Sequence, residues 1–98
     1  MDQEVYLRAI LATMGRIAFP PERLFDLISP GNGNEKAIRA YNLCDSTHTQ
    51  AQIAISANID KGNLSRLLKR WIEAGIVFRV GDGKDARPLH IYPVQIPR

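Results

Sequence analysis

Between residues 61 and 70 the chain reads KGNLSRLLKR. Lys61, Asn63, Ser65, Arg66, Lys69 and Arg70 supply cations, an amide and a hydroxyl within one short run. Such a set recognises by charge and hydrogen bonding and makes no covalent bonds. Asn63 and Ser65 suit the edges of bases, and Arg66 either forks onto guanine or holds a phosphate. Lys61, Lys69 and Arg70 suit backbone phosphates. Gly62 has no side chain, which lets a bound surface come close.

These groups need a helix that turns them outward. Leu64, Leu67, Leu68, Trp71 and Ile72 recur at spacings of three and four, so they form an apolar face opposite the polar one. Asp60 caps this helix, and Gly75 closes it as a left-handed terminal residue after Ala74. A shorter helix precedes it, capped by Thr49 and running to Ala57, with Ile53, Ala54 and Ala57 inward. Asn58 makes the turn, because asparagine enters the left-handed region more easily than most residues. Small Ala54 lets the two helices cross, and Ile59 plugs the space between them. Two short helices about a tight turn form a helix-turn-helix, whose second helix enters the major groove of DNA.

Further elements flank this pair. Residues 3–18 place Val5, Tyr6, Leu7, Ile10, Leu11, Met14, Ile17 and Ala18 on an apolar arc wider than one buried stripe requires. That arc is the expected surface for a second copy of the chain. Pro20 and Pro21 end this helix and start another over 22–28, with Leu24, Phe25, Leu27 and Ile28 for the core. SPGNGN at 29–34 is turn chemistry. A third helix is expected over 35–43, capped by Asn34, followed by a loop at 45–49. IVFRVG (76–81) and PLHIYPV (88–94) read as strands joined by the glycine-containing loop GDGKDAR. On the second strand His90 alternates with Leu89 and Ile91, which turns it toward solvent or DNA. The expected fold is α+β, mostly α: a winged helix-turn-helix over 35–94, with additional N-terminal helices over 1–34 and a C-terminal β-hairpin as wing, in a single domain over 1–98.

The charge distribution agrees with a surface for a polyanion. Residues 1–48 carry five basic side chains against six acidic ones, a net −1; residues 49–98 carry eight against four, a net +4. At 98 residues, with 45% hydrophobic and 23% charged side chains, the composition is that of one small globular domain. Cys44 is the sole cysteine and excludes an internal disulfide; with His48 it gives too few ligands for a closed zinc site. A core-facing Cys44 is expected. No secretory signal or membrane-length apolar run is present, so a soluble cytoplasmic protein is expected. Ser29, Ser46, Ser56 and Ser65 lack a nucleophile's context, and GNGN at 31–34 lacks the Lys-Ser/Thr ending of a phosphate loop. Trp71 lies on the apolar face and reads as core rather than as a stacking platform for bases. No enzymatic activity, metal or cofactor is expected.

GNLSRLLKRWIEAGIV together with KDARPLHIY resembles the winged helix-turn-helix transcription regulators, most closely the MarR-like branch. The first run is similar to that family's small or polar residue, Leu, Ser/Thr and Arg leading into an apolar helix, a glycine and a strand. KDARPLHIY is similar to its wing pattern, Asp-x-Arg before an alternating strand. The resemblance implies that Arg87 inserts in the minor groove and Asp85 orients it, with Arg79 and Lys84 as further wing cations. It also implies a homodimer on double-stranded DNA. Two departures stand out: the chain is shorter than is typical of the family, without its long C-terminal helix, and Asn58 replaces a frequent turn glycine. The alternative reading is a winged-helix protein–protein interaction module; an RNA-binding winged helix is a third.

Overall fold

The computed structural model describes residues 3–29, 34–81, 83 and 86–95. Its described elements are helices α1 (Gln3–Ala18), α2 (Pro21–Ile28), α3 (Glu35–Asn42), α4 (Gln50–Ala57) and α5 (Lys61–Ala74), then strands β1 (Val77–Val80) and β2 (Arg87–His90). Helices precede a two-stranded antiparallel hairpin, giving the mostly helical α+β winged fold.

Local chemistry sets the helix boundaries. Pro21 occupies the first turn of α2, where a missing N–H costs nothing. Asn34 accepts from the amides of Lys36 and Ala37 at 3.0 and 3.4 Å and starts α3. Thr49 and Gln52 form a reciprocal capping box at the start of α4. Asn58 takes the left-handed conformation at φ 56°, and Asp60 then caps α5. Gly75 closes α5 at φ 81°, a conformation that costs a glycine little. The turn segment 29–34 is described only at its ends, where the Asn34 amide donates to the Ser29 hydroxyl at 2.7 Å.

The core joins α2, α3, α4, α5 and the hairpin base. Leu24, Ile28, Ile38, Tyr41, Ile53, Leu64, Trp71, Ile76 and Val77 are fully buried. Each such side chain removed from water contributes about 1.5–3 kcal/mol before the opposing loss of entropy is counted. Ala54 is buried at the α4–α5 crossing, and Ile59 packs against the same core while its amide donates to the Ala54 carbonyl at 3.0 Å. Trp71 meets Tyr41 edge-on with ring centroids 5.7 Å apart, so its indole is core. Cys44 is buried as expected; its thiol donates to the Ala40 carbonyl at 3.3 Å, and burial pushes its pKa up to about 12.

The sequence-based strand expectations need two corrections. The second strand ends at His90 rather than 94. Ile91 still donates to the Ile76 carbonyl at 3.1 Å, and the backbone then turns to α3: Val94 donates to the Asn42 side chain at 2.9 Å, and Asn42 returns a bond to the Val94 carbonyl at 2.7 Å. The His90 side chain also does not face outward. Its ring stacks on Tyr41 at 5.3 Å, with Nδ1 3.0 Å from the Tyr41 carbonyl. The cause is a pairing hidden in the 45–49 loop. His90 donates to the Cys44 carbonyl at 2.6 Å, and Ser46 donates to the Pro88 carbonyl at 3.0 Å. This brings the end of α3 over that part of β2.

α1 lies apart from this core. Leu11 and Ala12 pack against it, while Val5, Tyr6, Leu7, Ile10, Met14 and Ile17 stay exposed, Ile17 to 80%. Gly15 is buried against Ile91: a Cβ there would sit 3.0 Å from the Cβ of Ile91.

Candidate nucleic-acid interface

Two anchors fix how α5 is presented. Its inner face is held by Leu64, Leu68 and Trp71, all buried, with Leu67 and Ile72 at the margin. Its N-terminus is fixed by Asp60, whose carboxylate accepts from the amides of Gly62 and Asn63 at 3.0 and 3.3 Å. With the apolar stripe fixed inward, the helical period turns Lys61, Gly62, Asn63, Ser65, Arg66, Lys69 and Arg70 outward, and all are exposed. Among the described residues no carboxylate forms an ion pair with Lys61, Arg66 or Lys69.

Three members of this set have further side-chain bonds. Arg66 donates through Nη2 to the Asn63 side-chain oxygen, which ties them into one unit a helical turn apart. Arg70 donates to the Ile28 carbonyl at 2.9 Å, and the indole of Trp71 shares that acceptor at 3.2 Å. The last turn of α2 would otherwise leave this carbonyl unpaired. Arg70 therefore ties α2 to α5 as well as adding charge.

The structure brings a further cation to this face that no sequence pattern singles out. A groove of about 510 Å³ runs beside the N-terminal half of α5, and Lys36 of α3 lines it together with Arg66 and Arg70. Lys36 lies in the half of the chain with net negative charge, and only the packing of α3 beside α5 reveals its neighbours.

The hairpin supplies a second exposed basic element. Arg79 and Arg87 are exposed at the two strands, and Val80 pairs with Arg87 in the register. Lys84 and Asp85, the remaining wing candidates, lie outside the described residues, as does most of the loop tip. Gly81 and Gly83 of the connecting loop take positive φ, 94° and 64°. Away from both elements, His48 lies 3.1 Å from Asp45 rather than beside Cys44. Among the described residues there is no group of His, Cys, Asp and Glu side chains that would hold a metal ion. Nor is any helix there long and apolar enough to cross a membrane.

A capped helix pair, an outward cationic face on its second helix and a hairpin carrying arginines define a winged helix-turn-helix. The MarR family matches over residues 41–88, from the end of α3 to the start of β2, and this match supports a MarR-like winged helix-turn-helix regulator over that part of the chain. Neither the curated proteins nor the solved structures gave a match.

Proposed function

We propose that the chain is a sequence-specific, double-stranded DNA-binding transcription regulator, without enzymatic activity, acting in the cytoplasm as a homodimer. The N-terminal half of α5 enters the major groove, with Asn63 and Ser65 at base edges and Lys61 and Lys69 at phosphates. The hairpin lies along the adjacent minor groove, whose narrow A/T-rich stretches attract Arg79, Lys84 and Arg87, with Asp85 orienting Arg87. Residues 35–94 form the reading unit, and residues 1–34 extend it within a single domain. The carrying observation is the division of α5 into a fully packed inner face and an outer face of exposed Lys61, Asn63, Ser65, Arg66 and Lys69.

The exposed apolar face of α1 supports the dimer. One small reading unit covers few base pairs, and a twofold pair doubles the site while giving it matching symmetry. Selection of bound duplexes from a random pool tests both parts. A palindromic consensus is the expected result; recovery of random sequence would refute specific recognition. Exposed Phe78 and Val80 on β1 favour a second reading, a protein-interaction module. Salt separates the two, since release of counterions from DNA makes affinity fall steeply with salt and an apolar contact responds little.

A further inference from the structure

The geometry points to the groove between α3 and α5 as a seat for one backbone phosphate of the bound duplex, gripped by Lys36 and Arg66 and bordered by Arg70; this rests on the DNA-binding reading above.

The hydrogen-bonding balance of the groove carries the assignment. Its polar lining includes Asn34, Lys36, Asp60, Asn63, Arg66 and Arg70. Asn58 also lines it, and acceptors on Asn34, Asp60 and Asn63 take bonds within the chain. The Asn34 oxygen takes the amides of Lys36 and Ala37. One oxygen of the Asp60 carboxylate, Oδ2, takes the amides of both Gly62 and Asn63. The Asn63 oxygen takes Arg66. Donors outnumber the acceptors left over: the Lys36 ammonium, the side-chain NH₂ groups of Asn34, Asn58 and Asn63, and the guanidinium N–H groups that Arg66 and Arg70 do not use within the chain. Three cations against one carboxylate leave the lining net positive. A concave surface with three cations and a surplus of N–H donors fits a ligand that accepts hydrogen bonds and carries negative charge, which describes a phosphodiester.

Position selects the source of that phosphate. The groove opens beside the half of α5 that enters the major groove, and the strands bordering that groove present their phosphates to whatever flanks the inserted helix. Lys36 thereby joins the interface from α3. Arg66 goes to the backbone rather than to guanine, leaving Asn63 and Ser65 as the base-reading pair.

The test measures affinity against salt for the full chain, on a duplex carrying the selected consensus and on a scrambled duplex of equal length. Lys36→Gln is expected to reduce the slope of log K against log salt by about 0.9, the amount for one lost phosphate contact. Its affinity should fall by the same factor on both duplexes, and Lys36→Arg should retain the parental slope. Arg23→Gln, an exposed change on α2 outside the groove, should also leave the slope unchanged. Arg66→Ala should weaken both duplexes equally. A parental slope in Lys36→Gln, an equal loss in Arg23→Gln, or a loss in Arg66→Ala confined to the consensus duplex would each overturn the seat while leaving DNA binding intact. Chemical-shift changes at Lys36 on adding inorganic phosphate, with duplex affinity indifferent to Lys36→Gln, would give the groove to a free anion instead. A parental chain with no salt-dependent duplex binding would remove the DNA reading and the seat together.

Discussion

Asp60 has a dual role because its carboxylate sits where α5 begins and where the proposed contacts begin. It satisfies the amides of Gly62 and Asn63, and the first turn carries Lys61 and Asn63. Asp60→Ala should cost about 1 kcal/mol of stability, read by urea denaturation, and weaken DNA binding as the first turn frays. His90 has a different consequence. Burial holds its imidazole below the ordinary 6.5, against the opposing bond to the Tyr41 carbonyl. The unfolded chain therefore binds a proton near 6.5 that the folded chain refuses, so stability rises with pH through that region and falls as pH drops below it. Melting temperature should decline on acidification from about pH 7 toward pH 5.5, and His90→Asn should flatten that part of the profile. Asp45 acts further into acid. Burial alone would raise its pKa, but bonds from Thr47 and His48 outweigh that and hold it below 3.8, so its contribution is lost as pH falls under that value. The caps are legible in the sequence because each bonds within three residues of itself: Asn34, Thr49 and Asp60 declare themselves by type and position. The orientation of His90 is not legible, because its partner Tyr41 is distant in sequence and strand alternation cannot show that a helix covers one face of a hairpin.

Helices with their own periodicity are legible nearly to the residue, and α5 is clearest since Leu64, Leu68 and Trp71 repeat without interruption. The strands are harder. PLHIYPV alternates well past His90, but the backbone follows Asn42 instead, a preference written in one amide side chain on α3. The short pairing of residues 44–46 with β2 is invisible in the sequence for a similar reason: DSTHT has loop composition, and the bonds of Cys44 to His90 and of Ser46 to Pro88 are tertiary. α1 presents the opposite case, in which an excess in the pattern is informative. Its apolar arc exceeds what Leu11 and Ala12 need for docking, and the surplus of Leu7, Ile10, Met14 and Ile17 is exposed. Leu7→Glu combined with Ile10→Glu should leave the fold's circular dichroism intact and shift sedimentation to the monomer. A pair that persists in this variant would place the dimer contact elsewhere.

The full chain combines a nearly neutral front with a basic back, yet the charge that matters for the groove crosses that division through Lys36. Counting charge by halves locates the polyanion surface in outline and misses its border, because packing α3 against α5 redistributes charge in space without altering it along the sequence. The way the front half rests on the back also governs how two reading units would be spaced. Gly15 lets α1 lie against Ile91 at a separation that a methyl group would already crowd. In the proposed pair joined through α1, that contact would act as a fulcrum, converting a small change in tilt into a larger displacement of each α5. Gly15→Val should act as a shim there: the preferred gap between half-sites recovered by selection should shift, while each half-site keeps its letters. Operator spacing would then be tuned from a position that never touches a base.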